Sequence, residues 1–121
     1  MKEDVNQLSN QEVKEIFEDK QSKQILVDVR EYEEYVDQHI PGIPLVPMSE
    51  IAEKVEDFKK DESYVFVCRS GRRSHEVSRF FLENGFQKVA NYDGGMLNWD
   101  GPVETGEENI VDDVKDIYKE G

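Results

Sequence analysis

The 121-residue chain carries 15 Lys and Arg against 28 Asp and Glu, a formal charge of −13 that argues against nucleic acid and anionic membranes as partners. No apolar run reaches the length of a membrane helix and the opening MKEDVNQLS lacks a signal-peptide hydrophobic region, so one folded, soluble, cytoplasmic domain is expected. A single cysteine excludes a disulfide within the chain, and no His/Cys grouping has zinc spacing.

In chain order, Ser9 followed by Glu12 forms a capping-box signature, opening a helix with Val13, Ile16 and Phe17 on one face. QILVDV, 24–29, is a short β-branched run with a charged exit, the pattern of a buried strand. A short helix is predicted over Glu31 to Val36. HIPGIPLVP, 39–47, holds three prolines and a glycine and reads as an extended, turning connection. Ser49 is placed to cap a helix running to about Lys59, with Ile51, Val55 and Phe58 at helical spacing. SYVFVC, 63–68, is a second buried strand, and Val77, Phe80 and Phe81 define a helix that stops at Gly85. KVANY, 88–92, is a third strand, followed by a short helix in GGMLNW that Gly101 and Pro102 close. Strands alternating with helices predict an α/β domain with a mainly parallel central sheet, flanked by helices on both faces. The tail carries Ile110, Val111, Val114, Ile117 and Tyr118 in a helical stripe, so an amphipathic helix docked on the domain's own surface is expected within 104–121.

The stretch YVFVCRSGRRS concentrates the chemistry. Cys68, the only cysteine, ends a strand, where parallel α/β sheets bind ligands, and a helix follows at once. Amides at that helix start receive anions, and neighbouring cations lower a thiol. Arg69, Arg72 and Arg73 supply the positive charge, and Gly71 lets the backbone bend closely. Arginines in a first helical turn oppose the dipole, so an anion beside them is expected. A lone cysteine is most often a small buried hydrophobe; strand, thiol, glycine, arginines and helix in this order set Cys68 apart.

Four separated pieces then resemble a single-domain rhodanese, of the thiosulfate sulfurtransferase family. DVREYEEY, 28–35, resembles that family's strand-to-helix signature. QHIPGIPLVP, 38–47, resembles its Gly-His-Ile-Pro-Gly-Ala segment, with Gln38 for Gly and Ile43 for Ala. CRSGRRS, 68–74, resembles its active-site loop, and YDGGMLNW, 92–99, its Gly-Gly-x-x-x-Trp element.

The resemblance implies a three-layer rhodanese-like domain over residues 1–103 with 104–121 as an extension. It implies that Cys68 takes the outer sulfur of thiosulfate or a related persulfide donor and passes it to a thiol or cyanide acceptor through a persulfide. Amides of Arg69, Ser70, Gly71, Arg72, Arg73 and Ser74 would surround that sulfur, and the arginine side chains would draw in an anionic donor. Asp28 and Arg30 would support the loop. No cofactor or metal is implied, and a sulfur-relay protein is a further candidate partner.

Two other classes are weighed. Phosphatases and arsenate reductases of the related fold place an arginine after a cysteine and five intervening residues. Here Ser74 holds that position and Arg73 comes one residue earlier, so the amide ring is shorter. A non-catalytic sulfur-carrier or regulatory binding module is the other alternative, and a sulfur-free role of that kind would have little need of the cysteine that this chain keeps. Packing or backbone roles are expected for His39, a solvated position for His75, a core or lid position for Trp99, and a turn at Tyr92 and Asp93.

Overall fold

The computed structural model describes residues 5–118, built around a four-stranded parallel sheet of order β1-β4-β3-β2. The strands are β1 (Asn6–Leu8), β2 (Gln24–Asp28), β3 (Ser63–Val67) and β4 (Val89–Tyr92). The helices are α1 (Asn10–Glu18), α2 (Tyr32–Asp37), α3 (Met48–Lys54) and α4 (Arg72–Glu83).

Alternation along β3 divides the core. Tyr64 and Phe66, followed by Cys68, face Ile51 of α3 and Val77 and Phe81 of α4. Val65 and Val67 face Val13 of α1 and Tyr35 of α2. Both faces are therefore covered, which is why the strands read as continuous apolar runs instead of alternating ones. Each fully buried Val or Phe among them contributes roughly 1.5–3 kcal/mol relative to exposure.

Local signals act as the sequence predicts at several ends. The Ser9 hydroxyl accepts from the Glu12 amide while the Glu12 carboxylate accepts from the Ser9 amide. At the end of α4, Gly85 takes φ +93°, its amide bonds Leu82 O, and the Phe86 amide bonds Phe81 O. That is a Schellman stop, closed by the Phe81–Phe86 ring contact.

Two expectations about the helix after the proline-rich segment are corrected. Helix α3 begins at Met48 with Pro47 as its cap residue, and Ser49 lies inside the first turn. The carboxylate of Glu31 receives the Ser49 amide and hydroxyl, so an acid from another segment does the capping. The helix ends at Lys54 and tightens to a 3-10 turn at Val55–Asp57, which carries Phe58 into the core.

Strand β1 has no counterpart in the sequence signals, because three residues pairing with β4 carry too short a pattern to register.

The tail also differs. Its hydrophobic stripe is extended up to Ile110, and only Val114–Tyr118 turns, as a 3-10 segment. Residues 44–46 run beside β2, and the tail runs beside them: Leu45 N–H donates to Asn109 O and Val111 N–H to Leu45 O. Edge pairing satisfies backbone groups that a short isolated helix would satisfy only marginally. Docking on the domain itself is as the stripe suggests, since Val111 and Val114 are buried in the α3/α4 core. The remainder of the expected helix, 119–121, lies outside the described residues. Among the described residues, no helix is long and apolar enough to cross a membrane.

Candidate active site

Cys68 follows β3, and the chain turns at once into α4, whose cap residue is Gly71 in the left-handed region at φ +94°. A Cβ at Gly71 would collide with the Asp93 carbonyl oxygen, so only glycine fits there. The turn wraps the sulfur. Gly71 N–H donates to Sγ at 3.1 Å, and Ser74 donates from its N–H at 3.3 Å, with its Oγ also 3.3 Å from Sγ.

The segment after β4 holds this loop from outside. Met96 N–H donates to Cys68 O and Leu97 N–H to Arg69 O, each at 2.9 Å. In a trans peptide the next N–H points opposite to the carbonyl. Pinning the Arg69 carbonyl outward therefore turns the Ser70 amide the other way, and that amide is among those acting on the thiol. Gly95 allows the approach: a Cβ there would press on the Cys68 and Arg69 carbonyls.

Burial pushes the Cys68 thiol up, but the hydrogen bonds from Ser74, Gly71 and Ser70 outweigh it and bring the thiol below its ordinary value. The hydrogen bonds lead this effect, and Arg73 also interacts with the sulfur by charge. The Arg73 guanidinium makes a bidentate pair with Glu34 of α2. Glu34 is thus the anion that offsets Arg73 in the first helical turn. Arg69 and Arg72 are exposed and form no ion pair among the described residues, which leaves their positive charge at the mouth.

Asp28 and Arg30 lie at the end of β2 and are buried together. Arg30 donates to both Asp28 oxygens, at 2.9–3.2 Å, and to Gln38 O at 2.6 Å. Burial pushes the Asp28 carboxyl up, and the guanidinium and amide of Arg30 oppose it. Arg30, Arg69, Met96 and Leu97 line one groove beside the loop. Gln7, Ser70, Gly71, Arg72 and His75 line another. Leu97 is 62% exposed, an apolar rim next to Arg69.

His39 is buried away from the loop's bonds, stacked on Tyr35, with Nδ1 against Tyr35 O and Nε2 against Glu108. His75 is half-buried, and its Nδ1 meets Gln7 Nε2 at 3.0 Å, so the solvated position expected for it is only partly realised. Trp99 packs edge-on against Phe17 and Tyr92.

The sequence reading missed Asn91. It is buried on β4, next to Phe66 in register and on the face of α4. Its Nδ2 donates to Gly71 O and Gln7 Oε1, and its Oδ1 meets the Ser74 hydroxyl. A polar residue inside the apolar run KVANY was the available signal. Glu34 gave none, because nothing in sequence links it to Arg73. Among the described residues, no cluster of three or more His, Cys, Asp or Glu is placed to hold a metal.

Residues 9–101 match the model of the Rhodanese-like domain. The candidate sulfurtransferase YtwF of Bacillus subtilis is 46% identical over 79 residues, covering 65% of this chain and 76% of that protein. A candidate sulfur carrier of the same organism, YrkF, is 38% identical over 79 residues, 65% of this chain and 43% of that protein. The crystal structure of a rhodanese-like domain protein from Staphylococcus aureus superposes with a TM-score of 0.76 at 32% identity, covering 85% of this chain and 100% of the other.

Proposed function

Since the chain belongs to the rhodanese-like family, we propose that it is a sulfurtransferase that carries sulfur as a persulfide on Cys68. The observation that carries this reading is the set of loop donors, the Gly71 amide and the Ser74 amide and hydroxyl, converging on one buried sulfur.

Such a sulfur is held ready as a thiolate. It attacks the outer sulfur of an anionic donor, thiosulfate or a related persulfide, and the donor's remainder leaves with the bonding electrons, as sulfite in the thiosulfate case. A thiol or cyanide then takes the sulfur from the persulfide, and Cys68 leaves as thiolate. Two transfers through one covalent intermediate give ping-pong kinetics. The chain has no second cysteine, so the acceptor comes from outside it. A sulfur-relay protein is one such acceptor, in keeping with the sulfur-carrier name of YrkF. We assign the activity to the cytoplasm, where a lone thiol stays reduced.

Arg69 and Arg72 draw in the donor. Asp28 and Arg30 hold the end of β2 beside the loop. Phosphate chemistry is disfavoured because Ser74 stands where that pattern requires an arginine and its hydroxyl is turned onto the sulfur. Initial rates measured against thiosulfate at several cyanide concentrations test the reading. Parallel double-reciprocal lines are expected; intersecting lines, or turnover of an aryl phosphate instead, overturn it.

A further inference from the structure

Behind Cys68 lies a chain of polar groups that the transfer reaction leaves unassigned, buried at Ser74 and Asn91 and ending at the exposed Gln7. Its orientation is fixed by two backbone carbonyls that can only accept. Gln7 Nε2 donates to Val5 O at 3.3 Å, which turns Gln7 Oε1 toward Asn91. Asn91 Nδ2 donates to Gly71 O at 3.0 Å and to Gln7 Oε1 at 2.9 Å, which turns Asn91 Oδ1 toward Ser74. The Ser74 hydroxyl then faces two acceptors, Asn91 Oδ1 and Cys68 Sγ, with a single hydrogen to give. Cys68, Ser74 and Asn91 are all essentially buried, so water is not there to serve the loser.

We propose that Asn91 is a positioning residue for sulfur transfer, holding the Ser74 hydroxyl hydrogen while Sγ is neutral and yielding it when Sγ is anionic. The proposal rests on the sulfur-transfer reading. With Cys68 as a thiol, S–H donates to Ser74 Oγ and Ser74 O–H to Asn91 Oδ1, and every group is satisfied. As thiolate, Sγ takes the hydroxyl. When Sγ attacks the donor's outer sulfur, an S–S bond forms and the donor's bond to that sulfur breaks, its electrons leaving with the departing group. Sγ is now a neutral, poor acceptor, and the hydroxyl returns to Asn91. In the second transfer the acceptor bonds the outer sulfur, Sγ leaves with the electron pair, and the hydroxyl turns back to stabilise it. The hydrogen never leaves Ser74 oxygen; only its direction changes.

Asn91 Oδ1 is therefore a competitor of the thiolate. Its removal does not strip the loop of support, because His75 N–H also donates to Gly71 O, and Met96 and Leu97 hold the carbonyls outside. The His75 imidazole reaches Gln7 and not the Ser74 hydroxyl, and the Arg73 side chain is held on Glu34, so neither side chain substitutes for Asn91.

The test is the pH profile of Cys68 alkylation by iodoacetamide, without any sulfur donor. Asn91→Leu is expected to shift the profile down by about one unit, the size of the one hydrogen bond that the neutral-thiol state loses with Asn91 Oδ1. In the Ser74→Ala background the same substitution should move nothing. Asn91→Ala, less demanding sterically, must shift the same way. A profile that rises or stays, or an equal shift without the Ser74 hydroxyl, shows a loop-bracing role and overturns the proposal, as does failure of both variants to fold. Persulfide formation is scored separately by intact mass, so loss of the transfer reading and loss of this inference are distinct results.

Discussion

Arg73 and Glu34 form a bidentate ion pair, with nitrogen–oxygen distances of 2.8 and 2.7 Å, that ties the first turn of α4 to α2. Arg73, the second residue of α4, is thus a strut between two elements, while Arg69 and Arg72 keep their charge for the mouth. The pair is about one-third exposed on each side, so solvent weakens it. Arg73→Ala should lower stability by about 1 kcal/mol, read as a shift in the denaturant midpoint. Arg69→Gln and Arg72→Gln should leave that midpoint unchanged and raise KM for thiosulfate several-fold, less so at high salt.

The same pair sets an acid limit. Glu34 is held down to about 2 by the Arg73 guanidinium, against an ordinary 4.5. A carboxylate with a depressed folded pKa contributes stability that is present above its unfolded value and lost as pH falls toward the folded one. Stability should therefore decline between pH 4.5 and about 2, and Glu34→Gln should flatten part of that decline. Thermal melts of both proteins across this range check it.

Ser74→Ala removes the leading hydrogen bond that lowers Cys68. Its alkylation profile should move up by about one unit, with the helix content unchanged by circular dichroism. An unmoved profile would leave the amides alone as the cause.

Gly71→Ala combines φ +94° with a collision against the Asp93 carbonyl oxygen. The loop must open or the sheet end must shift, at a cost on the order of 2–4 kcal/mol. Denaturant unfolding should show that loss, and the variant should no longer hold a low-pKa thiol.

Val114 is buried under the α3/α4 core, and the Tyr118 hydroxyl meets that of Tyr64 at 2.5 Å. Within the segment expected as an extension, Val111, Val114 and Tyr118 pack against the domain. Val114→Asp should destabilise by roughly 2–4 kcal/mol, since it places a charge among apolar side chains. Urea unfolding with the substitution Asp113→Asn as an exposed control measures this.

The apolar runs and helical spacings were enough to expose three of the four strands, the main helices and the position of Cys68. Those features depend on near neighbours in sequence. What the sequence hid depends on partners far apart along the chain. Glu34 and Arg73 meet across 39 residues, Asn91 and Gly71 across 20, and the tail reaches Leu45 across more than 60. The tail's stripe had a helical period, yet an unpaired sheet edge offered its backbone better partners than a short helix. The arginines illustrate the same limit: their charge was visible, but which of them was already neutralised was not.

Sulfur transfer through Cys68 is tested most directly by intact-protein mass spectrometry after incubation with thiosulfate and removal of excess donor. The expected result is a species heavier by one sulfur, discharged by cyanide and absent from Cys68→Ser. An unchanged mass in a folded protein whose Cys68 still alkylates would contradict the account.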